Sequence, residues 1–182
     1  MNITLKKKNR DFNVIKKVKY HKYIYFSHSP KETISLGEKL GNLLKEGDLV
    51  ALNGELGTGK TCLIRGIAKG LKSPNTVLSP SFSIINEYKY SGTKPIYHFD
   101  LYRINKAEEL EGLGYEEYFY GDGITLIEWA NKIKCFLPEE LLLVNITMDC
   151  ANYFTRKIIF EPIGDRYLKI IEELKTVENI GD

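Results

Sequence analysis

The stretch Gly54-Glu55-Leu56-Gly57-Thr58-Gly59-Lys60-Thr61 decides the fold, because it meets the pattern G-x-x-x-x-G-K-[ST] at every position. The spacing has a physical basis. Gly54, Gly57 and Gly59 let the backbone take positive φ and turn successive N–H groups toward an anion. Lys60 carries an ammonium to the β- and γ-phosphates of a bound nucleotide, and the hydroxyl of Thr61 is placed to ligate Mg2+. A helix starting near Lys60 adds the positive end of its dipole. The flanks agree with this reading. Residues 49–52 form a short apolar run that predicts a strand, and Leu63, Ile64, Ile67, Ala68 and Leu71 fall on one face of a helix after the loop.

Working outward, Ser29-Pro30-Lys31-Glu32 resembles a capping box with proline at the first helical position. Leu36, Leu40, Leu43 and Leu44 follow at helical spacing, and Gly47-Asp48 breaks the chain before the strand. Strands are expected at 83–90, 96–99, 124–127, 141–146 and 156–160. A short helix is expected at 106–113, ended by Gly114, and a C-terminal helix carries Leu168, Ile171 and Leu174. Strands interleaved with helices predict an α/β fold, a P-loop NTPase-like three-layer sandwich around a mostly parallel sheet. The last strands follow one another without helices between them, so an antiparallel portion is expected too. The chain divides into a basic N-terminal extension, 1–26, and a single P-loop ATPase domain with a C-terminal helix, 27–182.

The charge is uneven. Residues 1–22 carry eight basic side chains against the single acid Asp11, a net of +7 in a chain whose total is +2. Such an arm suits contact with RNA or another polyanion, or a solvated extension; its lysines fit a transit peptide less well. No apolar run approaches the roughly 20 residues needed to cross a bilayer, so no membrane role is expected, and the N-terminus lacks the apolar core of a signal peptide. Cys62, Cys135 and Cys150 are far apart, which indicates neither a zinc site nor a disulfide framework. A reduced, cytoplasmic protein is the expectation.

A P-loop enzyme needs a carboxylate near its metal, at the end of a neighbouring strand. Asp100 follows the run Ile96-Tyr97-His98-Phe99 and Glu128 follows Ile124-Thr125-Leu126-Ile127. Both stand where ligands gather in α/β sheets, and residue patterning does not rank them as metal ligand or water-orienting base. Trp129, the single tryptophan, reads equally as a core aromatic or a side chain beside the metal site. His98 reads as a strand side chain, with contact to the site as the lesser alternative, and Cys62 as a small apolar residue on a helix face. The guanine-selecting pattern N-K-x-D fails at Lys134 after Asn131-Lys132, which argues against a GTPase. A small P-loop kinase stays open as an alternative, though no arginine-rich lid segment is evident. So does a nucleotide-dependent switch or binding module.

Four co-linear strings now come together: GELGTGKT, SPSFSIINEY at 79–88, HFDLYR at 98–103 and LIEWANKI at 126–133. With this order and spacing the chain resembles the bacterial TsaE family, the ATPase of tRNA threonylcarbamoyladenosine biosynthesis. The resemblance covers roughly residues 29–160. It implies ATP and Mg2+ as ligands, with the loop from Gly57 to Cys62 around the phosphates, Thr61 and Glu128 on the metal, and Asp100 binding water or metal on the γ-phosphate side. It further implies that Ser81 lies in a nucleotide-sensing switch segment, that Trp129 stands beside the metal-binding glutamate, and that Thr33 and Arg156 approach the nucleotide. The implied partners are TsaB-like and TsaD-like proteins, with tRNA reached indirectly or through the basic arm; hydrolysis resets that complex between turnovers. Four positions depart from the family pattern. Ser81 replaces threonine, Thr58 and Glu55 replace alanine and aspartate, and Cys62 replaces a second hydroxyl residue.

Overall fold

The computed structural model describes residues 22–75, 77–80, 83–90, 94–149 and 152–179. Seven strands form one sheet: β1 Tyr23–Ser27, β2 Leu49–Asn53, β3 Ile85–Tyr88, β4 Ile96–Asp100, β5 Ile124–Glu128, β6 Leu141–Met148 and β7 Arg156–Ile163. Their order is β1-β7-β6-β2-β5-β4-β3. The central four, β6-β2-β5-β4, are parallel, and the antiparallel pairs β1–β7, β6–β7 and β3–β4 complete the edges. The expected mixture of a parallel centre and an antiparallel portion is therefore present.

Strand β2 shows why the sheet is buried on both faces. Val50 and Leu52 join a core with helices α1 Pro30–Gly41, α2 Lys60–Gly70 and α4 Asp165–Asn179. Leu49 and Ala51 point the other way, into a second core with Leu110, Phe119 and Ile133. That second layer is built from α3 Tyr115–Phe119 and two 3-10 turns, Ala107–Leu113 and Ala130–Ile133. The alternation follows from the period-two geometry of a strand with both faces covered.

Ser29 caps α1, its hydroxyl accepting from the Glu32 backbone N–H at 3.2 Å. Glu32 reaches back to the N–H of His28, at 2.8 Å, one residue earlier than a capping box requires. Helices α1 and α2 then meet backbone to backbone. A Cβ built on Gly66 lies 2.2 Å from the Ile34 carbonyl oxygen and 2.8 Å from the Gly37 Cα, and one on Gly41 lies 2.2 Å from the Ile67 carbonyl oxygen. Glycines four apart on each helix, Gly37/Gly41 and Gly66/Gly70, put the small residues on one face and permit this approach.

The two ends of the chain add detail to the expectation. Residues 23–26, assigned to the extension, form most of β1 and pair with β7 from Tyr23↔Phe160 to Ser27↔Arg156. The rest of the arm, 1–21, lies outside the described residues. In α4 the buried side chains are Tyr167, Ile170, Ile171 and Leu174, whereas Leu168 is only half-buried. The helix start is locked to the start of β2. Arg166 grips the buried Asp48 with Nε to Oδ1 at 3.1 Å and a terminal nitrogen to Oδ2 at 2.7 Å. Tyr167 Oη accepts from the Leu49 N–H at 2.8 Å, and burial pushes its phenol up to about 12. Removing one partner of a buried ion pair leaves the other charge without compensation. Arg166→Ala is therefore expected to destabilise the fold by about 3 kcal/mol, a value at the low end for such pairs because the guanidinium is partly exposed. Urea unfolding measures it, and an unchanged midpoint would contradict the clamp.

Candidate functional site

The loop that joins β2 to α2 is held open by two glycines. Gly59 sits at φ 105° as the N-cap of α2, which has no side-chain cap. The first-turn N–H groups are thus left for a ligand, the arrangement that makes a helix N-terminus attract anions. Gly54 has φ 149°, and a Cβ there would lie 2.4 Å from the Ile146 carbonyl oxygen. Lys60 folds back over the loop, donating from Nζ to the carbonyls of Gly54 at 2.8 Å and Glu55 at 2.9 Å. The Trp129 ring covers it, with its centroid 4.0 Å from Nζ. Burial pushes the Lys60 ammonium below its ordinary pKa, while Glu128, Asp100 and Glu55 pull it back up.

Parallel pairing places the two carboxylates side by side, since Asp100 of β4 is in register with Glu128 of β5. Both are buried, at 4% and 3% exposure. Thr61 Oγ1 donates to Glu128 Oε1 at 2.8 Å. Asp100 accepts from the Ser79 hydroxyl and, at 3.0 Å, from the Tyr102 N–H. Trp129 follows Glu128 in the left-handed region, φ 63° and ψ 35°, a rare conformation for a bulky residue. It is secured by a row of polar contacts: the Asn131 N–H donates to Asn53 Oδ1 at 2.7 Å, Asn53 to Asn145 at 3.1 Å, and Asn145 to Glu161 at 3.0 Å.

These groups surround one cavity of about 350 Å³. Of the residues expected from sequence, Gly57, Gly59, Lys60, Thr61, Cys62, Asp100, Glu128 and Trp129 line it. Thr58 is in the loop but buried, its hydroxyl donating to the Glu55 carbonyl at 2.9 Å. Arg156 does not line the cavity; it holds the loop from outside, donating to the carbonyls of Thr58 at 3.1 Å and Gly57 at 3.5 Å. Thr33 is buried at the start of α1, 2.7 Å from the Ser27 hydroxyl, and is likewise absent from the lining. Ser81 lies outside the described residues. Sequence reasoning did not number Ser79, Tyr102 or Arg103 among the site residues, yet all three line the cavity. It also left His98 as a strand residue, yet His98 Nε2 is 3.1 Å from Glu128 Oε1. The available signal was the strand period: His98 is two residues before Asp100 and so faces the same side.

A hydroxyl and two carboxylates offer an all-oxygen donor set, the kind a hard divalent cation takes. Among the described residues no three or more His, Cys, Asp or Glu side chains form a metal cage. A cation here would complete its shell with ligand or water oxygens, as Mg2+ does in nucleotide sites. No helix of the described residues is long and apolar enough to cross a membrane.

The family model described as "Threonylcarbamoyl adenosine biosynthesis protein TsaE" matches residues 27–158. The chain belongs to the TsaE family. Its TsaE relative from Bacillus subtilis is 41% identical over 154 residues, covering 85% of this chain and 94% of that one. The TsaE of Haemophilus influenzae is 44% identical over 118 residues, 62% of this chain and 74% of that one. Both carry the name tRNA threonylcarbamoyladenosine biosynthesis protein TsaE. A crystal structure of Bacillus subtilis YdiB matches the fold with a TM-score of 0.73 at 35% identity, covering 87% of this chain and 97% of that one. The TsaE model begins at the last residue of β1 and stops within β7. It takes in the glycine-rich loop, both carboxylates, Trp129, Arg156 and Asp48, and it leaves α4, with the Arg166 that grips Asp48, outside.

Proposed function

We propose that the chain binds ATP with Mg2+ and hydrolyses it slowly, in the service of tRNA N6-threonylcarbamoyladenosine biosynthesis in the cytoplasm. In this reading it is the ATPase partner of a TsaB-like and TsaD-like complex and reaches tRNA through that complex or its basic arm. The observation that carries the chemistry is the convergence of Lys60, Thr61, Asp100 and Glu128 on one cavity at the C-terminal ends of β2, β4 and β5. Family membership supports the pathway.

Each residue then has a role that its position suits. The loop N–H groups and the α2 terminus hold phosphate oxygens. Lys60 exchanges the carbonyls of Gly54 and Glu55 for the β- and γ-phosphates. Mg2+, when bound, neutralises charge building on the β- and γ-oxygens. Thr61 and Glu128 hold it, a choice favoured by their 2.8 Å contact. Asp100, steadied by Ser79 and the Tyr102 N–H, orients the water that attacks the γ-phosphorus in line and receives its proton, with ADP as leaving group. Turnover by the isolated chain is slow because Tyr102 and Leu56, at 48% and 71% exposure, leave the cavity mouth open to water until a partner covers it.

Calorimetry with ATP, run with Mg2+ and again with EDTA, tests the site, and the emission of Trp129 reports occupancy. Capture of TsaB-like and TsaD-like proteins with and without ATP tests the role. A folded protein that takes up no adenine nucleotide sinks the proposal; uptake without nucleotide-dependent capture removes the partnership and leaves the ATPase.

A further inference from the structure

His98 is the most deeply buried polar side chain next to the site that the roles above do not use. Its exposure is 0%, and Nδ1 has no hydrogen-bond partner among the described residues. It stands on the α2-facing side of β4 with Ile96 and packs near Tyr88, whose ring centroid is 6.3 Å away. Burying an unpaired ring nitrogen is unfavourable, and an apolar ring would pack in this core without that penalty. The one polar contact that offsets it is Nε2 to Glu128 Oε1, at 3.1 Å.

We infer that His98 is a positioning residue for the cation-binding carboxylate, an inference that rests on the nucleotide–Mg2+ reading of the site. An ionised carboxylate only accepts, so the imidazole proton is on Nε2 and points at Glu128. The Thr61 hydroxyl donates to the same oxygen, Oε1, at 2.8 Å. Two donors from opposite elements, β4 and α2, therefore fix the carboxylate plane. Neither reaches Oε2, which is left for a cation or its water. Ligating groups elsewhere depend on such supporting hydrogen bonds, and removing one weakens metal binding by about 10–100-fold.

The experiment uses the full chain and three variants, His98→Phe, His98→Gln and His98→Asn. A Gln amide reaches the place of Nε2, whereas the Asn amide falls at the place of Nδ1 and misses Glu128. Nucleotide binding is followed by calorimetry in EDTA, and then the Mg2+ concentration that half-saturates the metal-dependent change is measured at fixed ADP. His98→Phe and His98→Asn are expected to raise that concentration about 10–100-fold, with ADP binding in EDTA unchanged and with His98→Gln close to wild type. If His98→Phe does not fold, the contrast between Gln and Asn decides. Equal Mg2+ requirements in all folded variants overturn the inference, as does a loss of ADP binding in EDTA that matches the loss with Mg2+. A wild-type chain with no Mg2+-dependent change at all defeats the underlying reading instead.

Discussion

Lys60→Ala is expected to leave a folded protein whose ATP turnover has fallen by at least about a hundredfold, the scale at which loss of one preorganised charge-stabilising donor acts. The side chain is 4% exposed and its own hydrogen bonds go to two carbonyls of the same loop. Alanine removes the ammonium and its contact with the Trp129 ring, but it breaks no hydrogen bond to the rest of the fold. In the proposed hydrolysis, charge moves toward the β–γ bridging oxygen, and a cation fixed beside it lowers the barrier more than mobile water can. Burial under Trp129 strengthens that effect, because field lines from Nζ are not screened by solvent. Phosphate release measures turnover and circular dichroism checks the fold. Unchanged turnover in a folded variant would refute the placement of the phosphates.

The second large effect is on stability. Gly66→Ala adds one methyl where Ile34 O and Gly37 Cα stand 2.2 and 2.8 Å from the new carbon. Overpacking a core costs roughly 1–3 kcal/mol when side chains can shift. Here the obstacles are backbone atoms of a packed helix, so α1 and α2 must move apart along their length. The expected loss is about 3 kcal/mol or more, a large share of the roughly 5–15 kcal/mol that holds a domain together. Gly112→Ala is the control: nothing lies within 4 Å of its Cβ position. Urea midpoints that coincide for the two variants would show that the helices are not in backbone contact.

The loop and the strand ends were legible because their signals are local. A glycine-rich turn between an apolar run and an amphipathic helix needs no knowledge of the rest of the chain, and an acid at the end of a buried strand sits where α/β sheets bind ligands. The features that escaped are those made by distant residues. Asp48 and Arg166 are 118 positions apart, and no periodicity links them. The extended Tyr23–Ser27 segment is overshadowed by the lysines before it, and its pairing with β7 depends on a strand that begins at Arg156. Arg156 was expected to approach the nucleotide; it holds the loop by its carbonyl oxygens, an arrangement that depends on the direction of each peptide unit. Thr33 was read as near the nucleotide, yet its hydroxyl is engaged with Ser27 and the Ser29 carbonyl. The glycines of α1 and α2 were visible, but helical spacing drew attention to the leucines between them.

The way the cavity is walled has a consequence of its own. On one side the phosphate loop grows from a helix whose backbone rests on another backbone, with a guanidinium bracing it from behind. On the other side, residues 77–79 are tethered through side chains: Arg65 on the Val77 carbonyl, Tyr88 on the Leu78 carbonyl, and Ser79 on Asp100. The first wall has no low-energy way to yield, whereas the second can exchange its tethers one at a time. If the proposed nucleotide cycle holds, a molecule that must distinguish a filled cradle from an empty one would read it on the face hung on tethers.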